Sequence, residues 1–231
     1  MPERSPARER ILAAAAELLA ERGRDAVTTR AVSAAAGVQP PAIYRLFGDM
    51  RGLLEAVAAD GFARYLAIKN SQPHADDPVD DLRTGWDLHI GFGLENPAQY
   101  RLMSEYLGAG SDHPAAKETR DILRGLVERV AAAGRLSVGV EQASEMILAT
   151  GLGVTLTLLD QAPERRDLGL SERTREAIIA SVTTDPAGAD DDREPARRAV
   201  ALRAVLDESS ARFTPGERLL LDELLDRLSR P

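Results

Sequence analysis

Residues 27–53 of this 231-residue chain bring together side chains suited to reading and gripping a polyanion. Arg30 carries a planar fork of donors whose natural base partner is guanine, which offers two acceptors in a DNA major groove. Gln39 presents a donor and an acceptor on one amide, as adenine requires, and the methyl of Ala42 suits the methyl of thymine. Thr28, Thr29, Tyr44, Arg45 and Arg51 add hydroxyls and guanidinium groups of the kind that hold phosphate oxygens. Pro40 and Pro41 sit among them and direct the path of the chain.

Short helices must position these groups. Thr28 or Thr29 is placed to N-cap one, because a hydroxyl there satisfies an orphan amide donor. Gly37 supplies the positive-φ residue that ends it after two turns. Gln39, Pro40 and Pro41 then open a second helix, where proline's missing N–H has no partner to lose. Two short helices joined by a tight glycine turn form a helix-turn-helix spanning 28–47, with the second helix aimed at a major groove. Upstream, Ile11, Leu12, Ala15, Leu18 and Leu19 recur at helical spacing behind Ser5-Pro6 and stop at Gly23. Downstream, Asp49 is placed to cap a helix bearing Leu53, Leu54, Val57, Ala58, Phe62 and Tyr65 on one stripe.

Four helices in that order resemble the DNA-binding domain of the tetracycline-repressor (TetR) family of transcriptional regulators. Thr28-Thr29-Arg30, Ala36-Gly37-Val38, Ile43-Tyr44-Arg45-x-Phe47 and Leu53-Leu54 carry the resemblance. It implies that Arg30 reaches a base edge and that Tyr44 and Arg45 contact the backbone or neighbouring bases. Phe47 reads more simply as core packing. Two positions depart from the family pattern. Pro41 stands where a small residue is usual, and Met50 where a phosphate-binding lysine is common, with Arg51 as a substitute one residue displaced.

The net charge of −8 is unusual for a DNA binder, but it is unevenly placed. Residues 1–50 carry seven arginines against six carboxylates, so the acidity lies in the remainder. Phosphate affinity follows the local face rather than the total. At 44% hydrophobic and only 4% aromatic, the chain packs mainly through Leu, Ala and Val. The absence of Cys excludes disulfides and Cys-based zinc sites. The first residues lack a signal-peptide core, and the longest uncharged apolar stretch, 146–159, is too short to span a bilayer. A cytoplasmic protein with no membrane partner is expected.

Beyond the first domain, at 1–70, the proline-broken stretch 72–78 marks a boundary, and a helical domain covers 78–231. Its helices are expected near 79–95, 98–107, 115–133, 140–159, 171–183, 195–208 and 215–229. Loops are expected at 108–114 and 185–192. The fold class is all-α, with an N-terminal helix-turn-helix domain and a C-terminal helical ligand-binding and dimerisation domain. The run Trp86-x-x-His89-x-x-Phe92, followed by Asn96-Pro97-x-x-Tyr100-Arg101-Leu102-Met103, is similar to the regulatory domain of one TetR-like subset. That likeness implies a small-molecule effector and a homodimer. Trp86, His89, Phe92, Tyr100, Met103, Tyr106 and Met146 are candidate pocket residues, with plain core packing as the alternative.

His74, His89 and His113 lack metal-ligand spacing, and no cofactor is expected. The chain has no Cys nucleophile, nucleophile-elbow serine, phosphate-cradling loop or His-Glu zinc box, which argues against an enzyme. Two readings stand. One is a ligand-responsive repressor that binds a near-palindromic operator as a homodimer. The other is a helical small-molecule-binding or scaffold protein with lost or weak DNA binding.

Overall fold

A computed structural model describes residues 6–107, 113–184, 194–206 and 213–229. Eleven α-helices run through these residues: α1 Pro6–Arg22, α2 Thr29–Ala36, α3 Pro40–Phe47, α4 Met50–Asn70, α5 Pro78–Glu95, α6 Pro97–Ser104, α7 Pro114–Ala132, α8 Val140–Asp160, α9 Leu168–Val182, α10 Glu194–Val205 and α11 Pro215–Ser229. Two single 3-10 turns, Arg24–Ala26 and Pro163–Arg165, are additions to the sequence reading. No strand occurs among the described residues, where one isolated bridge joins Leu136 and Thr183. The fold is all-α. Most of the expected loops at 108–114 and 185–192 lie outside the described residues.

Two compact units divide the chain, and the division is not one cut. The first comprises Met1–Gln72 with Gly91–Thr119, and the second Pro73–Ile90 with Arg120–Pro231. The first crossing lies between Gln72 and Pro73. The second crossing lies within α5 and the third within α7.

In the first unit, Ile11 and Ala15 of α1, Val32 of α2, Ile43 of α3, and Leu53 and Val57 of α4 form one fully buried cluster. Local chemistry sets the helix ends. Thr28 Oγ1 accepts from Ala31 N–H at 3.2 Å, and Asp49 Oδ1 accepts from Gly52 N–H at 2.7 Å. Gly37 closes α2 at φ 63° and Gly48 closes α3 at φ 81°, both in the region that only glycine enters cheaply. The sixth helix, α6, belongs to this core. Leu102 is buried within the same cluster, and Gln99 Nε2 donates to the Val57 carbonyl at 3.2 Å. Gly61 makes that contact possible, since a Cβ there would lie 2.6 Å from Gln99 Nε2. Arg64 donates to Gln99 Oε1, and Arg24 pairs with Glu105.

The second unit packs the first part of α5 against α8 and α9. Trp86 Nε1 donates to Ser171 Oγ at 2.9 Å, in a buried contact. Arg83 and Arg175 both bind Glu176, and Arg175 also binds Asp87 at 2.6 Å. Gly151 of α8 lies against the Trp86 and His89 rings, where a Cβ would sit 3.6 Å away, in ordinary contact. At 21 residues and mean hydropathy 1.2, α8 is long and apolar enough to cross a bilayer by length and composition. It extends past the 146–159 run at both ends. Buried Ala143, Ile147, Val154, Thr155, Leu158 and Leu159 make it a core helix of this unit. Helices α10 and α11 pair as a hairpin around Ala199, Leu206 and Leu225.

Two outcomes follow. Gly52→Ala improves helix propensity, yet its Cβ would sit 2.1 Å from the Phe47 carbonyl oxygen. Overpacking against backbone is expected to lower stability by about 1–3 kcal/mol, read from urea unfolding. The two arginines also hold the Glu176 carboxyl below its usual range, led by its hydrogen bond with Arg83. Their stabilisation is complete above the unfolded-state value and is lost as pH falls through the lower folded one. Glu176→Gln should therefore flatten the stability profile below about pH 4.5, checked by melts across pH 2–6.

Candidate DNA interface

Helix α3 has no capping side chain at Gln39, but Pro40 and Pro41 occupy its first positions. Ile43 is buried in the core, and with Leu46 and Phe47 packed against the same cluster it fixes which residues of α3 face outward. Gln39, Pro40, Pro41, Tyr44 and Arg45 are all exposed. Ala42 is half-buried and packs against the core. Its methyl is thus shared between the core and the outer surface.

Helix α2 supplies the second edge of this surface. Thr28 and Arg30 are exposed, and Thr29 is half-buried. Thr29 Oγ1 and Tyr44 Oη share a hydrogen bond of 3.3 Å, tying the start of α2 to the exposed side of α3. Tyr44 nevertheless remains 50% exposed. The resulting surface carries two arginines, an amide and hydroxyls across neighbouring helices.

The start of α4 accounts for the departure at residue 50. Met50 is half-buried and packs against the first unit's core, so this position serves as an anchor. Arg51 lies outside at 84% exposure, with Nε donating to Glu55 Oε1 at 3.1 Å. Such an exposed i,i+4 pair is worth little, so its guanidinium remains available to a phosphate. Phe47 is half-buried against the core, with the Arg8 guanidinium 5.1 Å from its ring centre. The packing reading fits it.

Residues 11–57 match the sequence profile of bacterial regulatory proteins, tetR family. The matched segment resembles a TetR-type DNA-binding domain. Among solved structures, a tetR-family bacterial regulatory protein from Rhodococcus is 25% identical, with TM-score 0.61, covering 78% of this chain and all of the other. The fatty acid degradation regulator of Bacillus halodurans is 17% identical at TM-score 0.61, covering 74% of this chain and 97% of its own. The ketosteroid transcriptional regulator of Mycobacterium tuberculosis is 18% identical at TM-score 0.53, covering 78% and 96%. No protein of curated function matches the chain in sequence. The fold and the matched segment support a DNA-binding regulator.

The candidate effector residues distribute over both units. Trp86, His89 and Met146 belong to the second, while Phe92, Tyr100, Met103 and Tyr106 belong to the first. Trp86 has its N–H committed to Ser171. Phe92 stacks on Tyr65 with ring centres 5.1 Å apart. Burial, with Tyr100 nearby, raises the Tyr65 hydroxyl above its ordinary range. Lys69, its ammonium 5.5 Å from the Tyr65 ring centre, is lowered by burial to about 8. Tyr100 and Met103 are almost wholly buried, and Tyr106 packs at the edge of the core. Among the described residues no group of three His, Asp or Glu side chains is placed to hold a metal.

Sequence reading passed over Gln99 and placed Leu102 in the run resembling a regulatory domain, whereas both join α6 to the core of the first unit. Their i,i+3 spacing puts them on one helix face, and that was the available signal.

Two substitutions separate base reading from phosphate holding. Arg30→Ala should weaken operator binding by about 1–3 kcal/mol and relax preference at one base pair. Arg51→Ala should weaken all sequences alike and reduce the salt slope by about one. Titrations of specific and scrambled duplexes at several salt concentrations distinguish these outcomes.

Proposed function

We propose that the chain is a transcriptional repressor that binds a near-palindromic operator as a homodimer and releases it on binding a small-molecule effector. The observation carrying this reading is the exposed set Arg30, Gln39, Tyr44 and Arg45 on paired helices within the TetR-matched segment. Each chain has one recognition helix in that segment, and helix-turn-helix proteins commonly read two half-sites about 34 Å apart as dimers. The exposed residues Ala149, Gly153 and Thr157 lie at i,i+4,i+8 on α8, and a Cβ at Gly153 would meet open space. A second helix can therefore approach α8 closely there. A DNA partner places the protein in the cytoplasm.

An effector acts by binding the DNA-incompetent state more tightly than the competent one. A differential of about 1–3 kcal/mol lowers operator affinity about 5–150-fold, and operator DNA must weaken effector binding equally. The candidate contacts are tested as two sets, Trp86, His89 and Met146 in one unit and Phe92, Tyr100, Met103 and Tyr106 in the other.

A mobility-shift titration against the DNA upstream of the gene, repeated with a metabolite panel, tests the reading. The expected result is a saturable complex containing two chains, dissociated by one class of small molecule. Binding no tighter than to scrambled DNA would return the protein to the class of helical binding or scaffold proteins.

A further inference from the structure

Helices α1 and α6 pack together in the first unit with small side chains where they meet, Ala16 and Ala20 on α1 and Ala98 on α6. Side chains this short do not fill the space between neighbouring helices, and a cleft of about 370 Å³ remains. That volume lies within the range of small-molecule sites, about 300–1,000 Å³. Leu19 of α1 and Val57 of α4 form its floor. Both are buried in the unit's core, with Ala16 and Ala98 packed against the same cluster. The floor is thus apolar and held in place from behind.

The charged groups around that floor do not cancel. Arg64 lines the cleft, but its guanidinium is engaged, with Nε 3.5 Å from Asp60 Oδ2 and another nitrogen donating to Gln99 Oε1. Glu17 of α1 and Glu95 at the end of α5 also line it, and both are exposed. Neither carboxylate takes part in an ion pair or a side-chain hydrogen bond among the described residues. The helix poles do not supply the missing positive charge. Helix α5 ends at Glu95 and α6 begins at Pro97, so a negative pole and a positive pole meet at Asn96 and largely offset each other. Two uncompensated negative charges therefore flank an apolar floor.

We propose that this cleft binds a small organic ammonium ion, an aliphatic amine whose hydrocarbon body covers Leu19 and Val57 while Glu17 and Glu95 hold its charge. An ammonium has three donors and no acceptor, which suits two free carboxylates. The same pair repels a carboxylate or phosphate ligand. An inorganic cation gains nothing from the apolar floor, whereas every methylene that an amine buries there adds to its binding. None of the seven candidate effector residues lines the cleft, so the site is separate from the effector contacts proposed above and does not rest on them.

The test is isothermal titration of the full chain at low ionic strength with three probes of one shape: cyclohexylammonium, cyclohexanol and cyclohexanecarboxylate. Cyclohexylammonium should bind saturably, one per chain, and raise the melting temperature by mass action. Cyclohexanol should bind about tenfold more weakly, as two exposed ion pairs of modest strength imply, and the carboxylate weaker still. Glu17→Gln/Glu95→Gln should lose that tenfold for the ammonium and leave cyclohexanol unchanged, which a purely structural role for the two residues would not produce. Both side chains are exposed and glutamine is a good helix former, so helix content by circular dichroism should match the wild type. Ala20→Phe, at an exposed position on the rim, should fill the cleft and abolish binding of all three probes. Equal affinity for the three probes overturns the proposal. So does a double variant that binds cyclohexylammonium as tightly as the wild type, or a wild type with no saturable binding up to about 10 mM. None of these outcomes bears on operator binding, since no residue of α3 lines the cleft.

Discussion

An eight-residue helix is not stable in water by itself, because nucleation consumes most of what its few hydrogen bonds return. Helix α3 has only eight residues and exists because Ile43 is buried among Ile11, Val32, Leu53 and Val57. Everything proposed for DNA contact depends on that burial. With Ile43 fixed inward, helical geometry sends Gln39, Tyr44 and Arg45 outward, and the Thr29–Tyr44 hydrogen bond aligns α2 with them. Pro40 and Pro41 restrict the backbone before the first turn forms, which reduces the entropy lost on ordering so short an element. The surface is rigid because its back is packed.

The same core reaches beyond the four N-terminal helices. Leu102 enters it from α6, and Gln99 lies across α4 where Gly61 leaves room. A hydrogen bond to the Val57 carbonyl and another from Arg64 satisfy the buried amide, so its burial carries little penalty. Helix α4 is therefore held on one side by α1 and α3 and on another by α6. Any state that moves α6 within this unit has to break a buried amide contact or carry α4 with it.

Much of this was legible locally and less of it at long range. Thr28, Gly37 and Asp49 disclosed the helix ends, because capping depends on neighbours within a few residues. The stripe from Leu53 to Tyr65 disclosed the inward face of α4 in the same way. Membership of α6 in the first unit was not legible, since Leu102 joins that cluster through tertiary packing alone. The aromatic run on α5 divides between the two units. Six residues advance a helix by about 240°, so Trp86 and Phe92 cannot share a narrow stripe. The 3-10 turns were missed because a single tight turn leaves no periodicity to detect.

The discontinuous make-up of the first unit bears on recombination between regulators of this type. A fragment ending at residue 70 would contain every side chain of the proposed DNA surface and still lack Leu102 and Gln99. It would leave an apolar slot open beside Val57 and an unroofed backbone carbonyl where the amide had been. Exchanging reading heads between homologous genes at that point would join a truncated core to a foreign α6, whose matching side chain must fit a groove shaped by Gly61. The heritable module is consequently longer than the DNA-binding motif, and a workable exchange carries residues 91–119 with it.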